Sequence, residues 1–159
     1  MICMTYFDKT DARMLSALSE NPRATGVDLA SGLGLSRNTV QARMNRWESE
    51  GALHPIDHRI PPRNLGRPLL AFVTARVDQH QLGEVTDHLA RIAEVIEVFG
   101  LAGETDLLIR VVAADTDDLY RIAGLVLGVP GVERTNIGIA MRELIAYRTM
   151  PLVSEIAGR

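Results

Sequence analysis

The stretch GVDLASGLGLSRNTVQARMNRWESEG, residues 26–51, decides the fold of the first part of the chain. Apolar residues at helical spacing predict two helices, over about residues 27–33 and 37–50. Between them, Gly34 can adopt the positive φ that ends a helix, and Ser36 stands where an N-cap belongs. A short helix, a glycine turn and a second helix with a polar outer face are typical of a helix-turn-helix.

The second of these helices is the one that enters the DNA major groove in such a motif. Val40, Met44 and Trp47 form one stripe and predict its buried side. The polar residues then fall on the outer half of the helix, where Asn and Gln can pair with adenine and Arg with guanine. An ordinary solvated helix of an all-α domain is the alternative. The residues predicted to contact DNA are Ser36, Arg37, Asn38, Thr39, Gln41, Asn45 and Arg46, with Arg59 and Arg63 farther along the chain.

A further helix is predicted before this motif, over residues 8–19. Asp8 is its expected N-cap, and Asp11 stands three residues later, as in a capping box. Thr25 and Asp28 repeat that spacing ahead of the first helix of the motif. Three helices therefore fall within about fifty residues, which is the size of a compact DNA-binding domain.

The segment that follows, residues 53–68, is rich in proline and arginine. It predicts a short extended segment or wing over residues 53–59 and then a linker. His54 and His58 could suggest a metal site, but no third ligand of a suitable type is near in sequence. We therefore expect these histidines to be loop residues, and no metal or cofactor is predicted.

Composition limits the classes of protein that the chain can represent. It has 159 residues, of which 47% are hydrophobic, so one full domain or two small ones can form a core. A signal peptide and an apolar run of about 18 residues are both missing, which argues against export or a membrane span. The single cysteine, Cys3, excludes a disulfide framework and is expected to be an incidental thiol. These features predict a cytoplasmic protein.

Charge is distributed unevenly along the chain. The net charge is −3 overall, which alone argues weakly against nucleic acid. Residues 1–68, however, carry nine basic and seven acidic side chains, whereas residues 69–159 carry eight and thirteen. The basic charge is thus concentrated beside the predicted recognition helix, where phosphate contacts would need it.

The second half alternates strands and helices in the order β-α-β-β-α-β. Strands are predicted over residues 69–77, 95–101, 107–113 and 132–141, with an extension of the last strand to Tyr147 left open. Apolar stripes predict a helix in each crossover, one over residues 82–92 and one that begins at Asp115 or Thr116. This order is typical of a ferredoxin-like sheet with both helices on one face, and it makes the whole chain an α+β protein.

The first of these strands is apolar on both of its sides, which predicts cover on both faces of the sheet. The chain has no further element for the second face, so a second subunit is the economical cover. The resulting division is a helix-turn-helix domain over 1–52, a wing and linker over 53–68, a ligand-sensing and oligomerisation domain over 69–148, and a C-terminal tail over 149–159.

Five stretches of sequence together carry a resemblance to a known family. They are DKTDARMLSALSENPRAT and DLASGLGLSRNTVQARMNRWESEGAL in the first half, and GETDLLIRV and GVPGV, followed by VERTNIGIAM, in the second. With them the chain resembles the Lrp/AsnC transcription regulators of bacteria and archaea over about residues 8–148. The resemblance implies an N-terminal DNA-binding domain, a C-terminal ligand-sensing domain, and dimers that often assemble further, commonly to octamers. It also implies small effectors, usually amino acids, that bind between dimers.

The chain departs from the family pattern in two places. HPIDHRIPPRNLG stands where the family often has a Gly-Tyr wing followed by Asn-Pro. In the last strand, where the family often repeats threonine, Thr135 is followed by Asn136 and Ile137. The geometry of the wing and the identity of the effector therefore do not carry over from the resemblance.

The resemblance places the effector site at the turn over residues 103–106 and at the facing start of the last strand. A glycine turn presents N–H groups that can hold a carboxylate, and Asp106 or Glu104 could bind an ammonium group. A simple hairpin turn that Asp106 caps is the alternative. The residues predicted to bind the effector are Ala102, Gly103, Glu104, Thr105, Asp106, Thr135 and Ile137.

Three other functions compete with an effector-controlled regulator. An effector-independent architectural regulator would share the same DNA-binding motif. A sirohaem-decarboxylase-like enzyme would need histidines in the second half, but only His80 and His88 occur there, both expected outside the sheet. No Ser-His-Asp or Cys-His arrangement is visible, so no enzymatic activity is predicted. A sensor without DNA binding is disfavoured by the arginine-rich helix.

Overall fold

A computed structural model describes residues 6–158, so Cys3 lies outside the described residues. Within that range, residues 6–56 and 145–158 form one compact unit, the helical unit, and residues 57–144 form a second, the sheet unit. None of the helices in the described part is long and apolar enough to cross a membrane. The elements are α1 (Lys9–Glu20), α2 (Gly26–Leu33), α3 (Arg37–Ser49), β1 (Leu69–Val77), α4 (Leu82–Leu89), β2 (Val95–Gly100), β3 (Leu107–Ala113), α5 (Thr116–Leu127), β4 (Val132–Ile139) and α6 (Met150–Gly158).

Side-chain caps set the starts of the first three helices. Asp8 accepts the Asp11 N–H at 2.8 Å while Asp11 accepts the Asp8 N–H at 3.0 Å, which confirms the predicted capping box. Thr25 and Asp28 form the same reciprocal pair at the start of α2. Because Gly34 has φ 65°, it can end α2 and leave room for α3 to start at once. The predicted helix-turn-helix is therefore formed.

The core of the helical unit gathers one face of each of α1, α2 and α3. Trp47, only 2% exposed, packs its ring edge-on against Phe7 with 5.9 Å between ring centroids. Val40 is buried beside it, and Met44 is partly buried against the same cluster. The predicted inward stripe of α3 is confirmed, so the opposite face of this helix is the one left to solvent.

The C-terminal segment is a helix, α6, so the prediction of a tail was wrong. Pro151 stands in the first turn of α6, where its missing N–H costs nothing. The helix packs against α1 in the helical unit. Its partly buried side chains are Met150, Val153, Ile156 and Ala157, whereas Leu152 is 61% exposed. A short apolar stripe at helical spacing was the signal that the sequence carried.

The proline-rich segment is not extended, so the prediction of a strand-like wing over residues 53–59 was wrong. Two 3-10 turns occupy it, at Ile56–Arg59 and Pro62–Leu65. The Ile60 N–H donates to the Asp57 carbonyl at 3.0 Å, so the hydrogen bonds are local. Prolines lack the N–H that a strand pair needs and fix φ near the value of a turn, which favours this outcome.

The sheet unit has the predicted ferredoxin-like arrangement. Its four strands pair antiparallel in the order β2-β3-β1-β4. Both α4 and α5 cover one face, and their buried side chains join those of β1 and β3 in one core. β4 is shorter than predicted: it ends at Ile139, opposite Ala71 of β1, and beyond it the Ala140 N–H still donates to the Leu70 carbonyl at 2.9 Å.

No helix of the sheet unit, residues 57–144, packs on the other face of this sheet, which we call the open face. Alternation along the strands and the cross-strand register place Phe72 and Phe99 on it, and these side chains are 37% and 46% exposed. Exposed aromatic side chains on a four-stranded sheet are the pattern expected of a surface that another chain covers. The open-face residues are Leu70, Phe72, Thr74 and Arg76 of β1, Leu108, Arg110 and Val112 of β3, Glu97 and Phe99 of β2, and Arg134, Asn136 and Gly138 of β4.

Candidate DNA-binding helix and effector pocket

The solvent face of α3 carries most of the residues predicted to contact DNA. Arg37, Asn38, Gln41 and Asn45 are all exposed. The Gln41 side-chain amide donates to Asn45 Oδ1 at 2.7 Å, one turn farther along the helix. This bond holds the two exposed amides side by side and leaves the Gln41 carbonyl and the Asn45 amino group available for other hydrogen bonds. An acceptor and a donor held together in this way can match the edge of an adenine.

Ser36 and Thr39 serve the start of α3. Ser36 Oγ accepts the Thr39 N–H at 3.0 Å and lies 2.8 Å from Thr39 Oγ1. Both hydroxyls are thus part of the N-cap, which orients the first turn of the helix. They lie next to Arg37 and Asn38, at the end of the helix that a helix-turn-helix presents to base edges.

A buried carboxylate, Asp11, holds α3 against α1. It is fully buried, at 0% exposed. Its two oxygens accept from Arg43 at 2.8 Å, from Arg46 at 2.6 Å and from the Trp47 indole at 3.2 Å. Burial raises the pKa of Asp11, but hydrogen bonds from the Asp8 backbone and from both arginines outweigh it, so its pKa lies below the ordinary value.

Arg46 is therefore not on the outer half of α3, and that part of the sequence-based placement was wrong. Its side chain is 38% exposed and its Nη2 turns inward to Asp11. Arg43 shares this role, because it bridges Asp8 and Asp11 at 2.8 Å from each. The sequence pattern missed Arg43, since the charge that binds it comes from residues more than thirty positions away.

The arginines of the proline-rich segment differ among themselves. Arg59 and Arg63 are exposed, as phosphate contacts would require. Arg67 instead lies 3.8 Å from Glu94 and 3.9 Å from Asp118 within the sheet unit. Among residues 6–158, no group of three or more His, Cys, Asp or Glu side chains is close enough to hold a metal ion.

The two histidines of the sheet unit lie outside its strands, as expected. His80 follows β1 in a 3-10 turn, and His88 is on α4, where its Nδ1 lies 2.7 Å from the Glu84 carbonyl. Neither of them lines the pocket described next.

A pocket of about 670 Å³ opens at one end of the sheet, and we call it the effector pocket. Four of its lining residues were predicted from the sequence, and four were not. The predicted ones come from the turn after β2 and from β4, whereas the others come from the open-face ends of β1 and β4. The lining residues are Gly103, Glu104, Thr105 and Thr135, together with Thr74, Arg76, Arg134 and Asn136.

Three residues predicted for the effector site do not line this pocket. Asp106 is engaged elsewhere, because its carboxylate accepts from the Val77 N–H at 2.9 Å and from Gln79 at 2.6 Å. These bonds tie the turn to the end of β1, as a capping residue would. Ala102 lies outside the lining, and Ile137 pairs with the buried Val73, which puts it on the helix-covered side of β4.

The four residues that sequence reasoning missed follow from strand pairing. Alternation along β1 places Thr74 and Arg76 on the side of Phe72. The register pairs them with Asn136 and Arg134 of β4. Alternation could be read from the sequence, but the register between β1 and β4 could not, because about sixty residues separate the paired positions.

Comparison with known proteins agrees with both units. Residues 7–48 match the AsnC-type helix-turn-helix domain, and residues 70–150 match the Lrp/AsnC ligand binding domain. An uncharacterized HTH-type transcriptional regulator of Pyrococcus horikoshii is 35% identical over 118 residues, which span 72% of this chain and 79% of the relative.

Solved structures show the same architecture. The feast or famine regulatory protein from M. tuberculosis, complexed with L-methionine, is 30% identical with a TM-score of 0.77 and covers 91% of this chain and 98% of its own. AsnC of E. coli, at 22% identity, has the same fold with a TM-score of 0.81 over 92% of this chain and 100% of its own. Because both its helix-turn-helix and its ligand-binding domain match those of the family, the chain belongs to the Lrp/AsnC family of transcriptional regulators.

Proposed function

We propose that α3 reads a specific operator in the DNA major groove, and that an amino acid bound in the effector pocket changes this binding. The proposal that α3 reads DNA depends on one observation: one face of α3 is buried in the core and the other is exposed. Trp47 and Val40 are fixed in the core, so Asn38, Gln41 and their neighbours must face outward. Direct base readout requires a helix that is fixed in place, with amide side chains on its exposed face and an exposed arginine, here Arg37, at its N-terminal end.

Within this proposal each predicted DNA contact has a defined part. Asn38, Gln41 and Asn45 read base edges, and Arg37 reads guanine or a phosphate at the exposed end. Arg59 and Arg63 contact phosphates, which adds affinity without sequence preference. Arg46 acts indirectly, because its bond to Asp11 fixes the tilt of α3. Such a regulator acts on chromosomal DNA, so we place it in the cytoplasm.

The second part of the proposal concerns the effector. The feast or famine regulatory protein has a solved structure in complex with L-methionine, and this chain has a pocket of suitable size in its ligand-binding domain. Gly103 supplies the open turn, with φ 141°, whose N–H groups can hold a carboxylate. Because the Asp106 carboxylate is already engaged, Glu104 is the acid that we assign to the amino group.

The third part of the proposal concerns the oligomer that the chain forms. The exposed aromatic residues of the open face favour a dimer in which two sheets pack face to face. Two copies would present two recognition helices, so the operator should be palindromic, with half-sites about one helical turn apart or a multiple of it. Assembly to an octamer, as the family resemblance implies, would follow from further contacts between dimers.

Gel-shift titration with the DNA upstream of the protein's own gene tests the DNA-binding helix. Asn38→Ala and Gln41→Ala should each weaken specific binding by about 1–3 kcal/mol and relax the preference at one base pair. Arg59→Ala and Arg63→Ala should weaken all sequences alike and lower the salt dependence of binding. Ser19→Ala, on an exposed position of α1, serves as the control. Unchanged specific affinity in both amide variants would exclude α3 from the groove.

The effector part is tested by repeating the titration with each of the twenty amino acids and by calorimetry. The right ligand should shift DNA affinity by roughly five- to 150-fold, the usual range of coupling between two sites. Glu104→Gln should weaken ligand binding but not DNA binding in the absence of ligand. If no amino acid gives heat or a shift, the chain is an effector-independent architectural regulator.

A further inference from the structure

We propose that the effector pocket selects an amino acid with a second carboxylate, namely aspartate or glutamate. The inference rests on the proposed function, because it assumes that the pocket binds an amino acid. It adds the chemical class of the bound amino acid's side chain, and the argument for that class depends on two arginines. Arg76 and Arg134 both line the pocket, and neither was part of the predicted site.

The placement of these two arginines destabilises the sheet unit as long as no ligand is bound. Arg76 of β1 is directly opposite Arg134 of β4 in the antiparallel register. Side chains at such positions share one face, with Cβ atoms about 4.5–5.5 Å apart, and like charges there destabilise the pair. A ligand with two carboxylates would remove this repulsion by accepting a hydrogen bond from each guanidinium.

Neither arginine has an anionic partner within the part of the chain that the structure describes. Other arginines of the same unit do: Arg110 lies 3.4 Å from Glu97, and Arg121 lies 2.7 Å from Asp118. Arg76 and Arg134 remain exposed at the mouth of the pocket. Their guanidinium groups are therefore available to a ligand without the loss of an internal ion pair.

The charges of the pocket match an acidic amino acid. Two arginines and Glu104 give the lining a net charge of +1, and aspartate or glutamate carries −1 at neutral pH. A neutral amino acid would leave one guanidinium unpaired. Glu104 can hold the ammonium group while each carboxylate pairs with one arginine, and one of the carboxylates can also accept from the N–H groups of the Gly103 turn. The remaining carboxylate oxygens of the ligand can then accept hydrogen bonds from the hydroxyls of Thr74 and Thr105 and from the amide of Asn136.

The test compares each acid with its amide, which has nearly the same shape. Calorimetry on the full-length chain would use L-aspartate against L-asparagine and L-glutamate against L-glutamine, with L-methionine as a further ligand. We expect one of the acids to bind at least about tenfold more tightly than its amide, since a bond between two charged groups replaces one to a neutral group. Arg76→Gln and Arg134→Gln should each abolish that preference. Arg91→Gln, an exposed arginine outside the pocket, should retain it.

Thermal melting without ligand gives an independent readout. Because each variant removes one of two opposed like charges, Arg76→Gln and Arg134→Gln should melt at or above the temperature of the wild type. The same measurement shows that the variants are folded. A lower melting temperature in both would mean that the arginines already have a stabilising partner, which would contradict the proposal.

The other outcomes are distinguishable. If the amides or methionine bind as tightly as the acids, the selection of a second carboxylate is wrong while an amino-acid site stands. If no amino acid binds, the proposed effector function fails as well. Sedimentation of the same variants covers the remaining case: a change of oligomeric state with no change in acid preference would assign the arginines to contacts with a second copy of the chain and overturn the inference.

Discussion

Asp11 is the residue on which the orientation of the recognition helix depends. It caps the start of α1 through the Asp8 N–H and binds Arg43, Arg46 and Trp47, which all lie on α3. Four donors on one buried carboxylate satisfy it fully, so its cost of burial is offset. The face of α3 that is held in this way is opposite to the face that we assign to DNA.

Replacing Asp11 with Asn should therefore destabilise the helical unit. Removing one charge of a buried pair typically costs about 3–5 kcal/mol, and the lower end applies here because Asp8 still pairs with Arg43. Trp47 is the single tryptophan of the chain, so its fluorescence during denaturation reports on this unit alone. Glu48→Gln, at an exposed position of α3, is the matched control and should leave the midpoint unchanged.

The same variant gives a pH dependence. The folded pKa of Asp11 lies below its ordinary value, so the folded state binds fewer protons than the unfolded chain. The stability that Asp11 contributes is therefore complete above about pH 4, near the unfolded pKa, and is lost as the pH falls through the folded pKa. The stability difference between wild type and Asp11→Asn should shrink below that pH. A difference that stays constant from pH 7 to pH 3 would show that charge is not the cause.

At the scale of elements, α6 joins the DNA-binding helices from the far end of the chain. It packs on α1, and its partly buried stripe includes Val153 and Ile156. Because the sheet unit lies between residues 57 and 144, the helical unit is connected to it at two points of the chain. A ligand that alters the sheet unit could thus act on the helical unit through either connection.

Charged substitutions on α6 test this packing. Val153→Asp or Ile156→Asp should destabilise the helical unit by about 1–3 kcal/mol, since each puts a charge against a partly apolar surface. Leu152→Asp is the matched control, because Leu152 is on the same helix but 61% exposed. Trp47 fluorescence during denaturation would measure all three. Equal midpoints for the two classes of variant would show that α6 does not support this unit.

At the scale of the whole molecule, the open face is a surface of the sheet unit that α4 and α5 leave uncovered. One side of the sheet is covered by α4 and α5, whereas the other exposes Phe72 and Phe99. A second copy would bury both aromatic residues, and burial of apolar surface contributes about 25 cal/mol per Å². The effector pocket lies at one end of this sheet, so dimer formation and ligand binding can influence each other.

Sedimentation equilibrium of Phe72→Glu tests the dimer. The wild type should be dimeric or larger at micromolar concentration, and the variant should shift toward monomer because the interface would have to bury a charge. Tyr120→Glu, an 84% exposed aromatic residue on the outer side of α5, should assemble as the wild type does. A wild type that is monomeric, or a Phe72→Glu variant that assembles unchanged, would assign the contact to another surface.

Local chemistry explains why much of the fold could be predicted. The caps at Asp8, Thr25 and Ser36, the positive φ of Gly34 and the inward stripe that ends at Trp47 all depend on residues within one or two turns of each other. The strand and helix order of the second half follows likewise from periodicity. The proline-rich segment and α6 were predicted wrongly, although the prolines and a short apolar stripe at helical spacing were local signals for the turns and the helix that the structure has.

The sequence by itself determined the helix-turn-helix, the buried side of α3 and the order of strands and helices in the sheet unit, because capping and hydrophobic periodicity act over short distances. Only the tertiary structure decided the direction of particular side chains. It turned Arg46 inward to Asp11, engaged Asp106 at the end of β1, and set Arg76 opposite Arg134. Each of these contacts joins residues about thirty to sixty positions apart, and their register depends on the packing of the whole unit rather than on any local pattern.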